Sequence, residues 1–153
     1  PADAVETAEC WQIALESEKT PSTLALTRQN LPTVRTEHSA KNLSSQGAYE
    51  LAAANGEAVV TIFATGSEVE IAPCFELFDQ QSDDYRKKTI GNAKVKVAIE
   101  AGIRQGWDHL IGTDGIFVGM HGFGASGSIE QLYPHFGITA EAAAKAVETR
   151  LHG

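Results

Sequence analysis

A helical interval runs through the start of the chain, where Val5, Ala8, Trp11 or the polar Gln12, and Leu15 follow one another three or four positions apart. Asp3 and Glu6 have the spacing of a capping box, so the pattern predicts a helix that begins after Asp3. Thr20-Pro21-Ser22 breaks it. Thr23-Leu24-Ala25-Leu26-Thr27 is a short apolar run that reads as a buried strand ending at Arg28-Gln29-Asn30. From Pro32 to about Gly56 the text turns polar, with apolar spots only at Val34, Leu43, Tyr49 and Leu51, which predicts a linker with one hairpin-like edge piece.

Residues 58–64 then form a clear strand, followed by Thr65-Gly66-Ser67 and a helix start in which Ser67 and Glu70 again have capping-box spacing. Pro73 cuts that helix short, and Phe75 to Thr89 gives a second, irregular helical patch closed by Gly91. Residues 94–99 and 116–120 are the next strands. Ser128 caps a helix from Ile129 to Phe136 with Gly137 as its stop, and Thr139 opens an alanine-rich amphipathic helix to Leu151. Strands alternating with helices predict an α/β fold of three layers, a mostly parallel sheet with helices on both faces.

A length of 153 residues is the usual size of one domain with one core. Twelve Lys and Arg against twenty Asp and Glu give a net charge of -8, which repels nucleic-acid backbones and anionic membranes, so an anionic ligand would need specific residues to recruit it. Two cysteines, Cys10 and Cys74, are too few for a disulfide framework and fit a reducing cytoplasm. No run of about eighteen apolar residues marks a membrane span, and the acidic N-terminus is no signal peptide. The expectation is a cytoplasmic chain without nucleic-acid or membrane partners.

Several motifs carry candidate chemistry. Gly122-Phe123-Gly124-Ala125-Ser126-Gly127 matches G-x-G-x-x-G after a strand and before a helix, but the second strand with its acidic end is missing downstream, which favours a glycine loop for tight turning over dinucleotide binding. A stand-alone oxidoreductase is thereby the weakest class. Asp114-Gly115 is half of a thiamine diphosphate motif, yet no Asn lies downstream of Asn92, so it reads as a turn. His38, His109, His121, His135 and His152 lack chelating spacings. His121 is open between a general acid and a surface imidazole, with the surface reading favoured. Cys74 sits among apolar and acidic neighbours and reads as an inert thiol. Ser67 and Ser126 lack a nearby base, and there is no nucleophile elbow. Arg28 differs, because it stands at the carboxyl end of the predicted strand at 23–27, the edge where open α/β sheets bind ligands. Its guanidinium suits either a phosphate or a carboxylate.

Residues 1–9 (PADAVETAE), 26–32 (LTRQNLP), 64–69 (ATGSEV) and 123–127 (FGASG) together resemble the carboxyl-terminal part of a transketolase, and the match runs nearly end to end. The resemblance implies an enzyme that moves a two-carbon ketol unit between sugar phosphates with thiamine diphosphate and a divalent metal, Mg or Ca, and works as a homodimer. It assigns residues 1–31 to the tail of the pyrimidine-binding domain, 32–57 to a linker and 58–153 to the C-terminal domain. Arg28 takes the position of the family's substrate-phosphate arginine, with Gln29 beside it. The resemblance places no catalytic, cofactor or metal ligand in this chain, which alone is expected to be inactive.

The family pattern also runs through a further helix and strand between Ala72 and Pro73, so one βα step is missing here, expected to exist in the parent protein. The competing class is a noncatalytic α/β interaction or regulatory-ligand module of a thiamine-dependent enzyme.

Overall fold

The computed structural model describes residues 1–27, 30–66 and 74–153. They form two compact units, one of residues 1–53 and 65–89 and the other of residues 54–64 and 90–153.

In the first unit, helix α1 runs over Ala4–Glu16, and Asp3 caps it by accepting a hydrogen bond from Glu6 N–H. The box is not reciprocal, since the Glu6 carboxylate turns to Ala2 N–H at 3.3 Å and to the Tyr49 hydroxyl. The strand predicted at 23–27 does not form: residues 21–27 have no regular structure and Leu26 is 49% exposed. Strand backbone needs a neighbouring strand to receive its N–H and C=O groups, and all paired strands among the described residues lie in the other unit. The hairpin-like piece is instead a 3-10 turn at Ser44–Gln46 ending on left-handed Gly47 (φ 76). The helical patch divides into α2, Phe75–Asp79, and α3, Asp83–Ile90. The helix start at Ser67 and the junction of Ala72 with Pro73 lie outside the described residues.

The second unit holds a parallel sheet in the order β1 (Val60–Ala64), β2 (Val95–Ile103) and β3 (Ile116–Met120). Pairing Val60 with Val95 and Ile99 with Val118 puts Val95, Val97, Ile99, Ile116 and Val118 on one face. Helix α6, Ala140–His152, lays Ala143, Val147 and Leu151 onto that face. Val97 is fully buried there, and burying a side chain of this size contributes about 2 kcal/mol. Phe63 and Ala98, on the opposite face, are equally buried, as the apolar strands of a doubly covered sheet require.

β2 outruns its predicted end because the chain continues through an irregular pairing between Glu100 and Ile103. It leads into the short helix α4, Asp108–Ile111, with Trp107, Leu110 and Ile111 buried. Arg104 fastens this corner, donating to Asp108 Oδ1 at 2.9 Å and to the carbonyls of Gly112 and Gly115 at 3.0 Å each. Helix α5, Ile129–Phe136, starts where Gln131 Oε1 accepts from Ser128 N–H and stops at Gly137 (φ 70), as the sequence predicts.

Candidate functional site

Three acidic residues one helical turn apart give α1 a polar face, and the segment after residue 33 is bound to it. Asp3 Oδ2 accepts from the N–H groups of Val34 at 3.0 Å and Arg35 at 3.4 Å. Glu6 Oε1 accepts from the Tyr49 hydroxyl. Glu9 Oε2 accepts from Ser44 N–H at 3.0 Å and Ser44 Oγ at 2.8 Å, while its Oε1 faces Arg35 Nη2 at 2.8 Å. Backbone donors that a polar loop would otherwise give to water are thus satisfied by side chains of one helix.

The Arg35 and Glu9 side chains are only 9% and 13% exposed. The guanidinium also lies over the Tyr49 ring, 5.3 Å from its centroid. Nε, Nη1 and Nη2 of Arg35 make no well-aligned hydrogen bond among the described residues, so the charge is balanced by the nearby Glu9 carboxylate and the ring rather than by directed bonds. Burial pushes the Glu9 carboxyl up, but Ser44 and Arg35 outweigh it and hold it below its ordinary value.

A folded pKa below the unfolded one means that the Glu9 contribution is complete above about 4.5 and is lost as pH falls through the folded value. Replacing Glu9 with Gln leaves Arg35 buried opposite a neutral group and should cost about 3 kcal/mol in urea unfolding near pH 7. The loss should shrink as both proteins are taken to about pH 3. An equal loss at both pH values would contradict this pairing.

Beside α1 lies a cleft of about 590 Å³, walled by Ala4 and Trp11 on the helix and by Leu26, Thr27, Asn30 and Leu31 on the segment that follows it. Leu26, Thr27, Asn30 and Leu31 bracket Arg28 and Gln29 in the chain. Arg28 and Gln29 themselves lie outside the described residues. An open cleft of about 640 Å³ in the second unit is larger, but its walls are α6 and Ile116, and its Arg150 is engaged with Asp114 C=O at 2.8 Å. The smaller cleft is the better candidate because its wall includes Leu26, Thr27, Asn30 and Leu31, the chain neighbours of the one sequence position read as ligand-binding.

The other motifs acquire definite surroundings. The loop at 122–127 is exposed throughout, and none of its three glycines takes a positive φ, so the tight-turn reading is corrected: nothing in the backbone there demands glycine. Thr113 and Asp114 form the expected turn. The Cys74 thiol is half-buried, donates to Glu76 Oε2 at 3.4 Å, and is pushed above its ordinary pKa chiefly by burial. Among the described residues no group of three or more His, Cys, Asp and Glu could hold a metal ion. No described helix is long and apolar enough to cross a membrane. Reading the sequence missed the Asp3, Glu6 and Glu9 face. Its signal was the three-residue spacing carried one step past the capping box.

A parallel three-stranded sheet with helices packed on it makes this an α/β protein. A profile of the Transketolase-like TK C-terminal domain matches residues 71–139. The transketolase of Rhodobacter capsulatus is 51% identical over 176 aligned positions, covering 99% of this chain and 26% of that protein. That alignment is longer than the 153-residue chain, so the relative carries residues without a counterpart here. Among solved structures, transketolase from Leishmania mexicana superimposes with a TM-score of 0.84 at 33% identity, covering 97% of this chain and 24% of that one. Transketolase from Pichia stipitis in complex with sedoheptulose 7-phosphate does so with a TM-score of 0.85 at 31% identity, over the same shares. The chain belongs to the transketolase family and corresponds to its carboxyl-terminal portion. It spans about a quarter of the length of these relatives.

Proposed function

We propose that the chain serves as the C-terminal portion of a transketolase that transfers a two-carbon ketol unit between sugar phosphates. The observation that carries this reading is 51% identity extending over 99% of the chain, without restriction to a motif. Residues 1–31 are the tail of the pyrimidine-binding domain, 32–57 the linker and 58–153 the C-terminal domain. Thiamine diphosphate, held with Mg or Ca by other parts of a cytoplasmic homodimer, supplies the carbon–carbon bond chemistry. Arg28 binds the substrate phosphate, with Gln29 its neighbour in the chain. A sugar phosphate is consistent with the ligand named in the complex of the Pichia stipitis relative.

The test is a full-length enzyme carrying this segment, supplied with a ketose phosphate donor, an aldose phosphate acceptor, thiamine diphosphate and magnesium. A product lengthened by two carbons is expected by chromatography. Absence of transfer, while a known transketolase is active in parallel, would overturn the reading.

A further inference from the structure

Asn55-Gly56 is the only place in the chain where asparagine precedes glycine. Both residues lie in the exposed stretch 52–59, where the chain passes from the first unit to the second. The Asn55 side chain makes no hydrogen bond or ion pair among the described residues, so its amide is free to turn onto the backbone. Gly56 has φ +113, and nothing stands within 4 Å of where its Cβ would be. Its N–H donates to Ala54 C=O at 3.0 Å, a single surface bond that water replaces at little cost.

The comparable positions are hindered. Asn30, Asn42 and Asn92 precede Leu31, Leu43 and Ala93, whose side chains crowd the amide nitrogen that follows each asparagine. Asn42 is also pinned, donating to Glu9 C=O at 3.0 Å and accepting from Ser45 N–H at 3.0 Å. Asp114-Gly115 has an acid before glycine but is clamped. A Cβ on Gly115 would stand 2.4 Å from Ile111 Cβ, Arg150 holds Asp114 C=O at 2.8 Å and Arg104 holds Gly115 C=O at 3.0 Å.

We propose that Asn55 is a site of spontaneous deamidation, through a succinimide closed by the Gly56 nitrogen and opened by water. Hydroxide removes the Gly56 amide proton, and the nitrogen attacks Asn55 Cγ. The N–Cγ bond forms, the Cγ–Nδ2 bond breaks, and Nδ2 leaves as ammonia with a proton from water, which restores the hydroxide. Water then adds to one of the two ring carbonyls and breaks its bond to the Gly56 nitrogen. Opening at Cγ gives aspartate. Opening at the backbone carbonyl gives isoaspartate, in which the main chain runs through Cβ and Cγ and is one methylene longer ahead of β1. Either product adds a negative charge beside Glu57 to a chain of net charge -8.

The experiment incubates the folded chain in mildly alkaline buffer, then maps its peptides by mass spectrometry with aspartate and isoaspartate forms separated by chromatography. Asn55 is expected to convert to both, at a rate proportional to hydroxide concentration. That rate should lie within about three-fold of the rate in urea, because a surface loop opens at almost no cost. Folding should slow isoaspartate formation at Asp114 by at least about ten-fold, because that corner must open first. Gly56→Ala should slow the reaction at Asn55 by at least about ten-fold, since a side chain crowds the attacking nitrogen and restricts its backbone. Conversion first at Asn30, Asn42 or Asn92, suppression of Asn55 by folding as strong as that at Asp114, or aspartate formed without isoaspartate would each overturn the proposal.

Discussion

Replacing Gly47 with Ala is expected to unfold the first unit or to lower stability by at least about 4 kcal/mol, more than any surface substitution in this chain. Gly47 has φ +76, which costs an L-residue about 1–2 kcal/mol by itself. Steric overlap costs more. A Cβ on Gly47 would stand 2.1 Å from Phe78 N and 2.4 Å from Cys74 O, and backbone at the start of α2 cannot swing aside as a flexible side chain does. Relief would require α2 to withdraw from the turn, breaking the Cys74 N–H to Gly47 C=O bond and the Tyr85 hydroxyl bond to Ala48 C=O at 2.9 Å. Gly137 provides the control, since its φ of +70 is nearly the same and nothing lies within 4 Å of its added Cβ. Gly137→Ala should cost only about 1 kcal/mol in urea unfolding. If the two variants unfold alike, backbone conformation rather than close packing governs Gly47.

Why this turn escaped a reading of the sequence is a matter of range. Short-range signals were legible: Asp3, Thr139 and Gly137 cap where their residue types predict, and β3 occupies the predicted residues. The caps depend on neighbours within four positions, and β3 finds its ladder on β2. The segment 34–49 depends on partners about thirty to forty positions away, such as Asp3 with Val34, Glu9 with Ser44 and Glu6 with Tyr49. Its polar text is the text of a solvated linker, yet Ser44, Ala48 and Tyr49 are buried because α1 supplies the acceptors that water would have supplied. The error at 23–27 runs the other way. An apolar run has strand propensity, but a strand exists only where a ladder receives it.

Candidate-site chemistry was legible only through family likeness. The one local signal at Arg28, its place after the strand predicted at 23–27, lapses because that strand does not form; Arg86 pairs with Asp83 and Arg104 holds a corner of the second unit. Only the family resemblance singles Arg28 out, and its chain neighbours Leu26, Thr27, Asn30 and Leu31 line a cleft.

Replacing Arg28 with Ala in the full-length enzyme should raise KM for phosphorylated sugars by about 100-fold, with kcat changed far less. The magnitude follows from two charge-assisted hydrogen bonds to a phosphate, together about 3 kcal/mol, at about 1.4 kcal/mol per decade. KM is the parameter expected to move because the phosphate is remote from the reacting carbons, so its grip is the same in the ground state and the transition state. Arg28→Lys keeps the charge but loses the planar fork, and should fall between wild type and Ala, near 10-fold. A short ketose or aldose without phosphate offers the guanidinium nothing to hold, so its kcat/KM should be unchanged by either substitution. Equal loss on phosphorylated and unphosphorylated substrates would place Arg28 in the support of the fold, with its partner a carboxylate rather than a phosphate.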